Sequence, residues 1–236
     1  MKNYIFHPIK GYIYEEDVFF ISNLISSFQQ PVFTEYGVYY GKSFINCILN
    51  SKLFTHAIAI DPFPNLHDAR NHFFQNCKHY DLKYQHFEND EIDPSVHFNV
   101  VHIDSAHTEI DVYKDANSAL LKLSKDGVIV FDDVWSDIFC GVTSGVFKII
   151  HEKNLTPFLV TTAKIYICRA EHHVKYTDLI SALLTSHGID FFFEFCSGDY
   201  TQSNDINNHK VISLKQIVEG KLINNARQIK EIFGNL

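Results

Sequence analysis

Positive charge is scarce in this chain: Lys and Arg number 20 against 28 Asp and Glu, a formal net charge of −8 at pH 7. That balance excludes a broad basic footprint for nucleic acid or anionic lipid and favours a small neutral or cationic partner. Paired cysteines are missing too. Cys47, Cys77, Cys140, Cys168 and Cys196 are odd in number, widely spaced and never in a C-x-x-C pair. This excludes a disulfide framework and a thiolate zinc site, and the five read as reduced, mostly buried thiols. No apolar stretch approaches the roughly 18 residues of a membrane helix. The start, MKNYIFHPIKGYIYEED, lacks the uninterrupted apolar segment of a signal peptide, so a cytoplasmic location is expected. Internal repeats and low-complexity tracts are absent.

What is present suits a folded domain. The 236 residues are 46% hydrophobic and 20% charged, enough for a sizeable core and too apolar for wholesale disorder. Between residues 31 and 169 short β-rich runs alternate with segments of helical spacing, the pattern of parallel strands joined by crossover helices. Strands are expected over Pro31 to Tyr36, His56 to Asp61, Lys83 to Phe87, Phe98 to Asp104 and Gly127 to Asp132. VVHI and GVIVF are apolar on both faces, as strands covered on both sides should be. The intervening helices are GKSFINCILNSK, DARNHFFQNCKH and TEIDVYKDANSALLKLSK, the last with a stripe of Ile110, Ala116, Leu120, Leu121 and Leu123. Val142 to His151 reads as a further helix and PFLVTTAKIYICR as an antiparallel hairpin at the sheet edge.

Glu15 to Phe28 reads as an amphipathic helix ahead of this core. The expected division is 1–169 as the main domain and 170–236 as an extension, a cap or an oligomer contact. The extension holds a helix near Tyr176 to Ser186, the run FFFEFC, the polar stretch SGDYTQSNDINN, then KVISL and a final helix.

Chemistry-bearing residues gather at predicted strand ends. In Glu35-Tyr-Gly37-Val-Tyr-Tyr-Gly41-Lys-Ser43 the first strand turns into the first crossover helix. There Gly37 would let the backbone approach a ligand and Gly41 would ease the helix start. The spacing is neither a dinucleotide fingerprint nor a Walker loop, and a turn without a ligand is the plainer reading. Asp61 ends the second strand, where doubly wound folds set an acid against a ribose diol; it also stands before Pro62, a common turn role for Asp.

The second gathering is His102-Ile-Asp104-Ser-Ala-His107 at the end of the fourth strand, with Asp132-Asp133 at the end of the fifth. Three carboxylates on one rim repel one another, and a divalent cation relieves that repulsion. Oxygen ligands favour Mg²⁺, Mn²⁺ or Ca²⁺ over zinc. Asp133 also suits a turn or helix cap. His102, in the strand itself, reads as a core histidine. His107, on the rim, suits a general base at neutral pH.

Taken in order, E-x-G-x-x-x-G-K-S, A-I-D-P-F, V-H-I-D-S-A-H with Asp115 eight positions after His107, and G-V-I-V-F-D-D with Gly141-Val142 resemble the class I S-adenosylmethionine-dependent methyltransferases. More narrowly they resemble the metal-dependent macrocin and mycinamicin type of sugar O-methyltransferases, over residues 31 to 169. The resemblance implies a Rossmann-like α/β fold, a seven-stranded mostly parallel sheet with helices on both faces. It implies Glu35 and Gly37 at the methionine end of the cofactor, Asp61 on the ribose, and Asn89 or Asp90 near the adenine. With Tyr39, Gly41, Ser43 and Asp104 these complete the expected cofactor set. Asp104, Asp132 and Asp133 would hold the metal, with Mg²⁺ expected, and His107 would be the catalytic base. Relatives often have Gly where this chain has Ser105, and some have a carboxylate base where it has Ala106.

The expected reaction is O-methylation of a small-molecule acceptor, a sugar, nucleotide sugar or other vicinal diol, with no nucleic acid or membrane partner. Trp135, directly after the Asp pair, and Tyr39, Tyr40 and Phe63 are candidate stacking aromatics. Two alternatives compete. His102-x-Asp104-x-x-His107 with Asp132 also resembles a metal-dependent hydrolase, a reading that leaves Glu35, Gly37, Gly41 and Asp61 without a purpose. A non-catalytic nucleoside-binding protein could keep the same fold.

Overall fold

The apolar runs form one sheet, as their both-sided burial requires. The computed structural model describes residues 4–51, 55–64, 66–186, 205–206, 209–213, 216–218 and 221–223. Helix α1 (Glu15–Ser26) precedes β1 (Val32–Tyr36), α2 (Lys42–Asn50), β2 (His56–Ile60), α3 (His67–His79) and β3 (Tyr84–Phe87). Then come β4 (Phe98–Ile103), α4 (Glu109–Lys122), β5 (Leu123–Phe131), α5 (Cys140–Glu152), the hairpin β6 (Leu155–Val160) and β7 (Ile165–Arg169), and α6 (His173–Ser186). Short strands β8 (Asp205–Ile206), β9 (His209–Lys210), β10 (Ile212–Ser213), β11 (Gln216–Val218) and β12 (Lys221–Ile223) follow.

The main sheet runs β10-β6-β7-β5-β4-β1-β2-β3. The strands β3, β2, β1, β4 and β5 are parallel, and β7 is antiparallel to both β5 and β6. The expected seven-stranded α/β sheet with its edge hairpin is therefore present, and β10 adds an eighth strand parallel to β6. Strand order reverses between β1 and β4, the switch point beside which such sheets open a crevice at their carboxyl ends.

Alternation along the strands divides the core in two. One face packs Phe33, Val100, Val130 and Tyr166 against α1, α2, α3 and α6. The other packs Ile58, Val101, Ile129 and Ile167 against α4 and α5. On the first face Glu35 and His102 are register neighbours on β1 and β4, and Val130 and Tyr166 on β5 and β7. A polar row is thus buried within an apolar layer.

Two expectations need correction. The α4 stripe is Val112, Ala116 and Ala119; Ile110 and Leu121 are exposed, and Leu123 belongs to β5, which starts directly after α4. The segment after KVISL does not form a helix in its described part, because β11 and β12 pair antiparallel there. Ile217, Val218 and Ile223 are β-branched, and the intervening sequence carries Gly220, both unfavourable to a helix. Of the described cysteines Cys47, Cys77 and Cys168 are buried, in line with mostly buried thiols, and Cys140 is exposed. The extension also shares the core of residues 31–169, since Tyr176, Ile180, Leu184 and Ile212 pack into its first layer. FFFEFC, most of SGDYTQSNDINN and Cys196 lie outside the described residues.

Candidate active site

Gly37 is required by chain crossing. It has φ 81°, and a Cβ there would lie 2.1 Å from the carbonyl oxygen of Asp104 and 2.7 Å from the Cα of Ser105. The loop after β1 therefore rests directly on the end of β4, held by Gly37 N–H donating to Ile60 O and Asp104 N–H donating to Tyr36 O, both 2.9 Å. Gly41, φ 85°, starts α2 against Phe73 and Ile45, away from the cavity.

Asp61 ties the same loop to β2. Its Oδ2 accepts from the backbone N–H of Val38 (3.0 Å) and Tyr39 (3.1 Å), and its Oδ1 from that of Phe63 (2.7 Å). The turn role is realised, and the carboxylate also faces the cavity. Glu35 lies behind the cavity wall, fully buried. Its carboxylate accepts from the Ser43 hydroxyl, and its other oxygen is 3.4 Å from His102 Nδ1. Burial pushes Glu35 up to about 8.

At the ends of β4 and β5 the charges form pairs. His107 stands where the loop enters α4, whose first turn is capped by Thr108 Oγ1 accepting from Asp111 N–H (3.2 Å). Its ring stacks on Phe139, centroids 4.1 Å apart and planes 18° apart. His107 Nε2 is 3.1 Å from Asp133 Oδ2 and 3.9 Å from Asp104 Oδ1. The His107 contact holds the Asp133 carboxyl below its usual value. Asp133 sits in left-handed backbone, φ 54°, an uncommon conformation for a non-glycine residue that neighbouring bonds maintain. Its own N–H donates to Asp132 Oδ1 (2.8 Å), and Val134 N–H donates to Ala163 O (3.0 Å).

The partner of Asp132 is Lys164, which sequence reasoning missed. Lys164 is fully buried between β6 and β7, and its Nζ is ion-paired with Asp132 Oδ2. Asp17 of α1 lies on the same side, its Oδ1 accepting from Thr161 (2.7 Å) and Tyr166 (2.6 Å) hydroxyls. Burial raises Asp17 to about 6 and the adjacent Glu16 to about 8. Asp104 carries a carboxyl raised well above the usual range by removal from water and by Asp132 beside it. Burial, with Lys164 nearby, lowers His102 to about 3, so it is neutral, the core histidine expected.

One cavity of about 1360 Å³ joins these halves. Of the expected residues, Gly37, Tyr39, Ser43, Asp61, Asn89, Asp90, Asp104, His107, Asp132 and Asp133 line it. Trp135 does not, standing 43% exposed against Phe147, and Phe63 is buried outside the wall; Tyr40 does line it. Lys10 to Tyr14 close another side, a contribution that no motif announced.

The three expected metal carboxylates do not share one ligand set. Among the described residues, donor atoms of His102, Asp104 and Asp132 approach within 4.8 Å, as do those of Asp104, His107 and Asp133. The first group carries the Lys164 ammonium, and the second already contains the close His107–Asp133 contact. The three expected carboxylates are thus divided between two donor groups that share Asp104.

Comparison with known proteins follows the same lines. Residues 34–134 match a family model described as a methyltransferase domain. No curated protein matches the chain. Among solved structures, it is similar to the O-methyltransferase TomG of Streptomyces achromogenes, involved in tomaymycin synthesis and solved with S-adenosylmethionine. The TM-score is 0.54 at 12% identity, over 67% of this chain and 81% of that one. A Bacillus cereus O-methyltransferase solved with S-adenosylhomocysteine gives 0.55 at 12% identity, over 68% and 84%. A TDP-rhamnose 3'-O-methyltransferase of calicheamicin biosynthesis gives 0.54 at 12% identity, over 66% and 79%. Residues 34–134, matched to a methyltransferase domain, surround the crevice of this sheet, and the chain shares the Rossmann-like fold of these O-methyltransferases.

Proposed function

We propose that this chain moves the methyl group of S-adenosylmethionine to a hydroxyl of a small molecule, a sugar, nucleotide sugar or other vicinal diol. The observation that supports this best is the His107–Asp133 pair on the same cavity as Gly37 and Asp61. The cofactor takes the β1–β2 side, with Gly37, Tyr39 and Ser43 toward its methionine end, Asp61 toward the ribose and Asn89 or Asp90 toward the adenine. Glu35 and Gly41 support that wall from behind. The acceptor takes the β4–β5 side.

Transfer is an in-line displacement: the acceptor oxygen bonds the methyl carbon, the carbon–sulfur bond breaks, and its electron pair stays on sulfur. The protein has to align oxygen with methyl and remove the hydroxyl proton. With Asp133 accepting from Nε2–H, the basic nitrogen of His107 is Nδ1, and Asp133 stabilises the imidazolium that forms. Phe139 fixes the ring plane. Lys164 pairs with Asp132 and His107 donates to Asp133, so this reading routes no step through a cation on Asp104, Asp132 and Asp133. The hydrolase alternative needs His102 in the cavity, and that ring is buried behind it.

Calorimetric binding of S-adenosylhomocysteine tests the reading. The wild type should bind and Asp61→Asn should bind roughly tenfold to a hundredfold more weakly, the range of a lost charge-assisted hydrogen bond. A wild type that does not bind sinks it.

A further inference from the structure

We propose that Lys164 is the resident cation of this site, standing in for a divalent metal and holding Asp132 out of any metal-ligand set. The inference rests on the methyltransferase reading, since it concerns what compensates Asp132 in that site without a metal. It is carried by the burial of Lys164, the groups that face it and its place on the cavity wall.

An ammonium taken wholly out of water is costly unless paired, so a fully buried lysine marks a place where the fold supplies compensating charge. Each element packed around Lys164 contributes a titratable group. Asp132 from the end of β5 forms the direct ion pair, and Asp17 from α1 and Asp104 from the end of β4 add attraction. Glu35 of β1 lies in the same charge neighbourhood. His102 of β4 approaches Asp132 Oδ2 at 3.9 Å and adds no positive charge, because it is buried and neutral. Lys164 is thus the cation around which this side of the rim is organised.

Its position decides what else can bind. A metal on Asp132 would sit beside a fixed ammonium at a few Å, where like charges in a poorly solvated site repel strongly. Ala163 and Lys164 stand on the cavity wall, so the Lys164–Asp132 pair borders the site. The β6–β7 hairpin fixes it there, with Lys164 N–H donating to Thr161 Oγ1 (3.2 Å) and Thr161 N–H donating to Lys164 O (2.9 Å). Lys164 acts through Asp132 and is a positioning residue.

The test is Mn²⁺ titration by electron paramagnetic resonance, beside calorimetry of S-adenosylhomocysteine, on wild type, Lys164→Met and Lys164→Met/Asp132→Asn. Wild type should bind S-adenosylhomocysteine equally with Mn²⁺ or chelator and show only weak, millimolar Mn²⁺ binding. Lys164→Met leaves Asp104 and Asp132 uncompensated and should tighten Mn²⁺ binding by about tenfold or more, which removing a purely structural lysine would not do. The double variant, neutral at both positions, should lose that gain. If Lys164→Met does not fold, the wild-type titration still decides. A micromolar Mn²⁺ site in wild type, with S-adenosylhomocysteine bound, overturns the role of Lys164 and leaves the methyltransferase reading standing. Failure of wild type to bind S-adenosylhomocysteine overturns that reading instead.

Discussion

The two halves of the cavity rim are held by different means. Under β1 and β2 the ties are local: Asp61 accepts from backbone N–H groups 22 and 23 residues away, and Gly37 lets the loop rest on Asp104. Under β4 and β5 the ties are charges brought from afar, with Asp17 bonded to Thr161 and Tyr166 across 144 and 149 residues. A rim tied to backbone N–H groups is complete once two adjoining strands have paired. A rim built from buried charges changes with every proton gained or lost, and it exists only once the sheet and hairpin have assembled.

The largest effect expected on the local side comes from Gly37→Ala. Its Cβ would overlap the Asp104 carbonyl in a left-handed backbone, so about 3 to 5 kcal/mol of stability should disappear in denaturant unfolding. A loss below about 1 kcal/mol would show that the loop shifts freely, removing the rigidity on which the comparison depends. On the charged side, His107→Ala should slow methyl transfer by about 10² to 10⁴ with little change in S-adenosylhomocysteine affinity. Full-rate turnover in that variant would remove His107 as the base.

A smaller effect separates the halves through pH. Glu16 and Glu35 are raised to about 8 and Asp17 to about 6, so the fold keeps protons that the unfolded chain, with values near 4.5 and 3.8, has lost. Their contribution to stability is complete below the unfolded values and declines as pH rises toward 8. His102 has the opposite sign: its folded value, about 3, lies under the unfolded 6.5, so its contribution declines as pH falls through that interval. The melting temperature should therefore drop between pH 6.5 and 8, and Glu35→Gln should make the drop shallower. An unchanged slope in that variant would show that Glu35 is ionised in the fold. The smallest expected effect is none: Trp135→Ala, outside the cavity, should leave S-adenosylhomocysteine affinity as it is. A clear loss would extend the site beyond the β4–β5 rim described.

Legibility in the sequence follows the same division. The strands of residues 31–169 were readable because apolar periodicity is local, and strand ends pointed to Asp61, Asp104 and His107 because parallel sheets open their crevice there. Gly37 was readable as a necessary glycine, though for a ligand's approach; its neighbour is the Asp104 carbonyl. Glu35 and Trp135 were placed on the cavity by motif order and adjacency, yet alternation turns Glu35 into the core and Trp135 packs outward. Lys164 carried no signal, since a single lysine in TTAKIY looks like an ordinary turn residue.

Periodicity, glycine spacing and the acids at strand ends are properties of short segments, and the sequence by itself determined from them the doubly wound sheet, its edge hairpin and the crevice. Only the tertiary structure decided which acid meets which cation. Asp132 with Lys164, Asp133 with His107 and Asp17 with Tyr166 are contacts between distant segments. Their energies depend on separation and burial, and neither quantity exists until the sheet has brought those segments together.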